Sequence, residues 1–306
     1  MADRLKFTLL GALAALGGLV MCALAALRWP AAHWVDTTVL QGFVSLRSSQ
    51  LHAPASVLVH IADPLPYAVF STLLVGLVLL RGQPRVALVI AVVLPVAAAT
   101  TELLKQLLAT PRLAPALGDG QLSAASFPSG HATASMALAL ALVLAVAPRM
   151  RSAAATLGAG LTVAVSYSLL TLGWHYPSDV LGGYLVACVS TLVAAASLQW
   201  AAGRWPARAG RRAVADALQR ARAQRADRSA AVDQAASLPR AWEIVRVPTT
   251  VGIVAGAFAT LVAISRPDAA LEFVQNHHAV LVGAAVIAGS ALMVALVTAA
   301  LTSQRG

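Results

Sequence analysis

Apolar and polar positions alternate in long blocks along this chain. The apolar blocks are about as long as the roughly 20 residues that an α-helix needs to cross a membrane, and short polar links separate most of them. Because a bilayer offers no water to pair with backbone groups, each crossing segment must satisfy its own hydrogen bonds, as helices do. The pattern predicts eight spans, at about 7–27, 66–80, 86–108, 132–147, 153–173, 180–200, 247–264 and 279–301.

The predicted fold class is therefore all-α, a polytopic transmembrane helical bundle. Six spans form a core within residues 1–203, residues 204–246 form a basic cytoplasmic helical linker, and residues 247–306 add a C-terminal hairpin of two spans. The segment 28–63 is only moderately apolar, so we expect it to lie along the interface or to re-enter the membrane partly. The composition, 59% hydrophobic and 11% charged, agrees with a membrane-embedded bundle.

The net charge of +10 is concentrated in one hydrophilic segment. Residues 204–246 hold ten arginines and four acidic residues, with no glycine after Gly210, and this composition predicts a helix. Two interpretations stay open for it: a solvated cytoplasmic helix, or a surface that binds anionic lipid headgroups, to which each basic residue adds about 1 kcal/mol. No nucleic-acid partner is expected.

The distribution of basic residues predicts the orientation of the chain. With eight spans both termini share one side, and the loops of that side hold seventeen lysines and arginines against five on the other side. The positive-inside rule therefore places both termini in the cytoplasm and the outer ends of spans three, four and six on the extracytoplasmic face. The alanine- and arginine-rich composition suggests a bacterial protein, which would make this the cytoplasmic membrane.

Small residues within the apolar blocks carry weaker signals. Cys22 and Cys188 lie in two of these blocks, where we expect buried thiols rather than a disulfide or a metal site. Gly252 and Gly256 have the spacing that lets two helices approach closely, which leaves a homodimer contact open.

The first polar cluster stands at the end of the third span. Lys105 closes that span, and Pro111 biases the chain away from helical conformation, so Arg112 belongs to the loop beyond the helix. Such residues often anchor a helix at the membrane boundary. They are also the cations that a phosphoryl-transfer site requires.

The second cluster is the sequence Pro128-Ser129-Gly130-His131 ahead of the fourth span. It predicts a helix whose first turn contains Ser129 to His131, with free backbone N–H groups and the positive end of the helix dipole pointing outward. Glycine lets an anion approach this backbone closely, which indicates a phosphate site. A plain serine N-cap is the alternative.

The third cluster pairs His175 with Asp179 across Pro177. Proline suits the first position of a helix, which places Asp179 in the first turn, where it can accept a hydrogen bond from one nitrogen of His175. The other nitrogen would then be free to attack phosphorus. The alternative is a helix-start aspartate beside an interfacial histidine.

Together and in this order, the three clusters resemble the type 2 phosphatidic acid phosphatase (PAP2) superfamily of lipid phosphatases. The resemblance covers roughly residues 35–200. It implies that His175 is a nucleophile forming a phosphohistidine, that Asp179 orients it, and that His131 protonates the leaving lipid oxygen and later deprotonates water. It implies no metal and no cofactor, and it assigns the phosphate oxygens to Lys105, Arg112, Ser129 and Gly130.

Two positions depart from the family pattern. Leu113 follows Arg112 where a proline is usual, and Ser168-Leu169 stands where the third motif normally has Ser-Arg. Loss of one such phosphate donor typically costs about 10²- to 10³-fold in rate. Because of Leu169, either another cation reaches the site, or the enzyme is slow, or the protein binds lipid phosphates without turnover.

The resemblance implies a membrane hydrolase that acts on a lipid phosphate or pyrophosphate. Its expected partners are membrane lipids and the lipid phosphate substrate. Polyprenyl phosphate or pyrophosphate is the favoured substrate class, followed by phosphatidic acid or phosphatidylglycerophosphate. The alternatives are a weakly catalytic lipid-phosphate binder or scaffold, and transfer of the phosphoryl group to an acceptor other than water.

Overall fold

The computed structural model describes residues 2–47 and 49–204, and within these ranges the regular structure is entirely helical. The longer helices, in chain order, are α1 (Ala2–Arg28), α2 (Pro30–Ser45), α3 (Ser49–His60), α4 (Pro64–Leu80), α5 (Pro84–Leu107), α6 (Gly130–Ala145), α7 (Arg151–Leu172) and α8 (Pro177–Arg204). The all-α prediction is confirmed for this part of the chain. The predicted linker at 204–246 and the hairpin at 247–306 lie outside the described residues, apart from Arg204.

Among the residues that the structure describes, four helices are long and apolar enough to cross a membrane: Leu5–Arg28 of α1, α5, α7, and Pro177–Trp200 of α8. The predicted span at 66–80 corresponds to α4, which reaches spanning length only together with α3, across a bend of 54°. The predicted span at 132–147 corresponds to α6, an apolar helix of 16 residues. The segment 28–63 contains α2 and α3.

The centre of the bundle is α6, which packs against α4, α5, α7 and α8, while α1 lies along α8. Most α6 side chains are buried, and many are alanine, so neighbouring helices come close. A Cβ atom added to Gly158 of α7 would lie 2.7 Å from Cβ of Ala139. Small residues therefore let α6 and α7 approach closely.

Two glycines of α8 bring that helix against the start of α6. A Cβ atom on Gly182 would lie 2.7 Å from the Phe127 ring, and one on Gly183 would lie 2.5 Å from the Ser129 carbonyl oxygen. Real Cβ atoms do not occur at such distances, so only glycine allows the observed packing. This contact joins the second and third polar clusters in space.

Candidate active site

His175 and Asp179 meet at the start of α8. The helix begins at Pro177, so Asp179 lies in its first turn, and Nδ1 of His175 stands 3.4 Å from Oδ2 of Asp179. The same oxygen accepts a hydrogen bond from the Tyr176 backbone N–H at 3.1 Å. The Asp179 side chain is fully buried, whereas His175 keeps 12% of its side chain exposed. The carboxylate therefore holds Nδ1, which leaves Nε2 of His175 for chemistry.

Arg112 lies behind this pair and is itself buried. It forms an ion pair with Oδ1 of Asp179, and its Nη2 donates to Ser126 Oγ at 2.8 Å. Its Nη1 donates to Ser178 Oγ at 3.2 Å and lies 3.6 Å from Oδ2 of Asp36. The guanidinium group thus stands between two carboxylates. Its predicted contact with phosphate oxygens stays a prediction.

Asp36 of α2 is a member of this network that the sequence motifs do not include. It accepts hydrogen bonds from the backbone N–H of Ser178, at 3.0 Å, and from the Ser178 hydroxyl. Burial raises the pKa of Asp36 to about 6, although the hydrogen bonds from Ser178 and the charge of Arg112 act against that rise. Asp36 therefore ties α2 to the first turn of α8.

Tyr176 also packs against Arg112. Its ring centroid lies 4.3 Å from Cζ of Arg112, and its hydroxyl donates to the Arg112 carbonyl oxygen at 3.0 Å. Burial raises the pKa of the Tyr176 hydroxyl to about 12, so the phenol stays neutral and remains a donor. The loop after α5 is thus fixed by both the backbone and the side chain of Arg112.

Ser129 is the N-cap of α6. Its hydroxyl accepts from the backbone N–H of Ala132 at 3.3 Å, and its own N–H donates to the Asp179 carbonyl oxygen at 2.8 Å. Ser129 is fully buried. Ser129 therefore caps α6, which is the alternative that the sequence left open for the second cluster. Direct phosphate binding by the Ser129 hydroxyl stays a prediction.

Gly130 and Lys105 lie together at the start of α6. A Cβ atom on Gly130 would lie 3.3 Å from Nζ of Lys105, so glycine makes room for the ammonium group. Lys105 also pairs with Oε1 of Glu102 at 2.7 Å, with 22% of its own side chain exposed. A cation and a helix N-terminus thus converge, which is the arrangement that attracts phosphate.

His131 borders the same region and has a carboxylate partner of its own. Its Nε2 lies 3.0 Å from Oδ1 of Asp63, and its ring centroid is 6.4 Å from that of His175. The Trp174 ring packs edge-on against it, with centroids 6.0 Å apart. The two histidines, one in the first turn of α6 and the other just ahead of α8, therefore border one small space.

A cavity of about 350 Å³ opens beside these residues. Its polar lining includes Glu102, Lys105 and His131, while its apolar lining comes from alanine, proline and tyrosine residues of α4, α5 and α6 and the turn before α4. A mixed lining of this kind suits a ligand with an anionic group and a hydrocarbon portion.

Leu169, at the position where the family motif has arginine, is fully buried in the main hydrophobic core. Arg47 donates to the carbonyl oxygens of Thr171 and Leu172 at the end of α7, so its guanidinium group is engaged there. Within the described residues, Lys105 is the cation that lines the cavity.

The structure thus brings all seven predicted site residues to one region, where α5, α6 and α8 meet. Sequence reasoning missed Asp36 and Asp63, because each lies in the segment 28–63, where the apolar pattern is weak. The signal that the sequence offered was an acidic residue within an apolar, helix-forming stretch, because a carboxylate that becomes buried needs a polar or charged partner.

The comparisons with known proteins agree with this geometry. Residues 86–203 match the family model of the PAP2 superfamily. Over these residues the chain is similar to the PAP2 superfamily. This match confirms the resemblance seen in the three motifs and includes every predicted site residue, whereas α1 to α4 and the residues after 203 lie outside it. No curated protein matches the chain.

The PAP2 fold is also seen in a solved structure. The chain is similar to the crystal structure of a transmembrane PAP2 type phosphatidylglycerolphosphate phosphatase from Bacillus subtilis, with a TM-score of 0.51 and 20% sequence identity. The similarity covers 60% of this chain and 94% of that chain. At this identity it shows a shared membrane fold.

Proposed function

We propose that this protein is a membrane lipid phosphatase that works through a phosphohistidine on His175. The observation that carries the proposal is the convergence of His131, Lys105 and the His175–Asp179 pair around one small space beside a mixed polar and apolar cavity. A nucleophile, its orienting carboxylate, a second histidine and a phosphate-binding cation are the parts that phosphoryl transfer needs.

The proposed reaction has two steps. Nε2 of His175 attacks phosphorus as the bond to the lipid oxygen breaks, and the leaving oxygen takes a proton from His131. A water molecule then attacks the phosphohistidine, gives its proton to His131 and releases inorganic phosphate, and the electron pair of the P–N bond returns to His175. Lys105, the amide of Gly130 and the other predicted ligands, Arg112 and Ser129, stabilise the charge on the equatorial oxygens.

The proposed substrate is a polyprenyl phosphate or pyrophosphate, with phosphatidic acid or phosphatidylglycerophosphate next. An extracytoplasmic site, as the basic residues predict, supports the polyprenyl class. We further propose that both termini are cytoplasmic, that residues 204–246 contact anionic lipids, and that the host membrane is a bacterial cytoplasmic membrane.

The test is phosphate release by detergent-purified protein from a panel of these four lipids. We expect release by the parent protein, loss of release in His175→Ala, and retention in His52→Ala, which removes an exposed histidine of α3. Equal activity of the parent and His175→Ala would refute the proposal.

Leu169 supports a second candidate, a lipid-phosphate binder on a phosphatase scaffold. This candidate predicts that a lipid phosphate protects both the parent and His175→Ala against thermal unfolding, while neither releases phosphate. Transfer to an acceptor other than water would appear instead as a phosphorylated product detected by mass spectrometry.

A further inference from the structure

Asp63 lies at the bend between α3 and α4, outside the region that matches the family. It occupies the N-cap position of α4, where an aspartate usually accepts a hydrogen bond from its own helix, yet its side chain makes no capping bond. Its carboxylate turns instead to Nε2 of His131, 68 residues away in the sequence, at 3.0 Å. Asp63 therefore contacts His131 instead of capping its own helix.

This contact determines which nitrogen of His131 carries a proton. An ionised carboxylate only accepts hydrogen bonds, so Nε2 must be the donor, which leaves Nδ1 without a hydrogen-bond partner among the described residues. His175 shows the reverse arrangement, because Asp179 holds its Nδ1. The two neighbouring histidines are therefore held by opposite nitrogens.

We propose that Asp63 is a positioning residue that holds His131 by its Nε2–H group, so that Nδ1 is the atom that transfers protons to and from the substrate. This inference rests on the proposed function. In the first step the proton on Nδ1 passes to the leaving lipid oxygen as its bond to phosphorus breaks. In the second step Nδ1 takes a proton from the attacking water, while the Nε2–H bond to Asp63 stays intact.

The charged and titratable groups around His131 explain why it needs this partner. Lys105 of α5 and His175, ahead of α8, both disfavour a second positive charge, and Glu102 lines the same cavity. His131 stands at the polar end of α6, where burial lowers its pKa, and Asp63 opposes that change. Asp63 thus favours the protonated imidazole that the first step requires.

The test compares the parent with Asp63→Asn and Asp63→Glu, with Asp119→Asn as the matched control because Asp119 is an exposed carboxylate of the α5–α6 loop. We expect Asp63→Asn to lower kcat at least about tenfold and to move the basic limb of the kcat/KM profile about 0.5 to 1 pH unit toward acid. Asp63→Glu should recover part of the rate, and Asp119→Asn should match the parent. A merely structural role would lower the rate without moving the limb.

A second measurement does not depend on turnover. Nitrogen-15 NMR of labelled histidines, with His131→Gln as the assignment control, should show the Nε2–H tautomer for neutral His131 in the parent and a lower pKa of His131 in Asp63→Asn. If the parent hydrolyses no lipid, the proposed function fails while this spectrum still tests the contact. An unchanged His131 pKa in Asp63→Asn, or faster turnover in that variant, would overturn the positioning role.

Discussion

Arg112 and Asp179 form a buried ion pair that joins the loop after α5 to the first turn of α8, with 5% and 0% of their side chains exposed. The other oxygen of Asp179 faces His175 and the Tyr176 backbone. One carboxylate therefore fixes the candidate nucleophile and neutralises a buried cation. Removing one partner of such a pair leaves an uncompensated charge, which typically costs about 3–5 kcal/mol.

Asp179→Asn should abolish most of the phosphatase activity. The amide cannot hold Nδ1 of His175 with the same charge, and loss of the orienting carboxylate typically lowers kcat about 10⁴-fold in a catalytic triad. The measurement is the kcat for phosphate release, with the thermal unfolding midpoint recorded on the same sample. Asp119→Asn serves as the control, and a fully active Asp179→Asn protein would contradict the orienting role.

Gly183→Ala should destabilise the protein by about 1–3 kcal/mol and lower its activity, because the new methyl group would press on the Ser129 carbonyl oxygen. Backbone atoms cannot move aside without separating α8 from α6. The matched control is Gly160→Ala on α7, where nothing lies within 4 Å of the new Cβ atom. Thermal unfolding in detergent measures the stability of both variants. Equal midpoints would show that the close contact of Gly183 with Ser129 does not contribute to stability.

Asp36→Asn should alter the pH dependence of stability. The pKa of Asp36 rises on folding from 3.8 to about 6, so the folded state binds this proton more tightly than the unfolded chain. The contribution of Asp36 to stability is therefore greatest below about pH 4 and is lost as the pH rises through about 6. Asparagine, which never ionises, should gain stability relative to the parent over this window.

The difference in unfolding midpoint between Asp36→Asn and the parent, measured at several pH values from 4 to 7, checks this prediction. Asp119→Asn, which alters an exposed carboxylate, should show no such trend. A constant difference for Asp36→Asn would mean that Asp36 keeps an ordinary pKa in the folded protein.

Lys105→Gln should weaken the candidate phosphate site, whereas Glu102→Gln should strengthen it. Lys105→Gln removes the cation beside the start of α6 and should lower kcat about 10²- to 10³-fold. Glu102→Gln releases the same ammonium group from its ion pair, so inorganic phosphate should inhibit about two- to five-fold more tightly. Product inhibition by phosphate measures the second effect. Weaker inhibition in Glu102→Gln would show that Glu102 supports the anion site instead of competing with it.

The sequence by itself determined the helical membrane architecture and the three polar clusters. Apolar blocks long enough to cross a bilayer must form helices, since no other local structure satisfies their backbone. Local chemistry also located the start of α6 to within a residue of Gly130 and the start of α8 at Pro177, because helix-start serines and first-turn prolines act within a few residues.

Only the tertiary structure decided how those clusters meet and which other residues join them. Asp36 and Asp63 reach Arg112 and His131 across long sequence separations, and no local pattern encodes such a contact. The tertiary structure also brought α8 against α6 at Gly183 and buried Leu169 in the core. These are packing outcomes, set by the fit between helices, whereas periodicity and capping depend only on neighbouring residues.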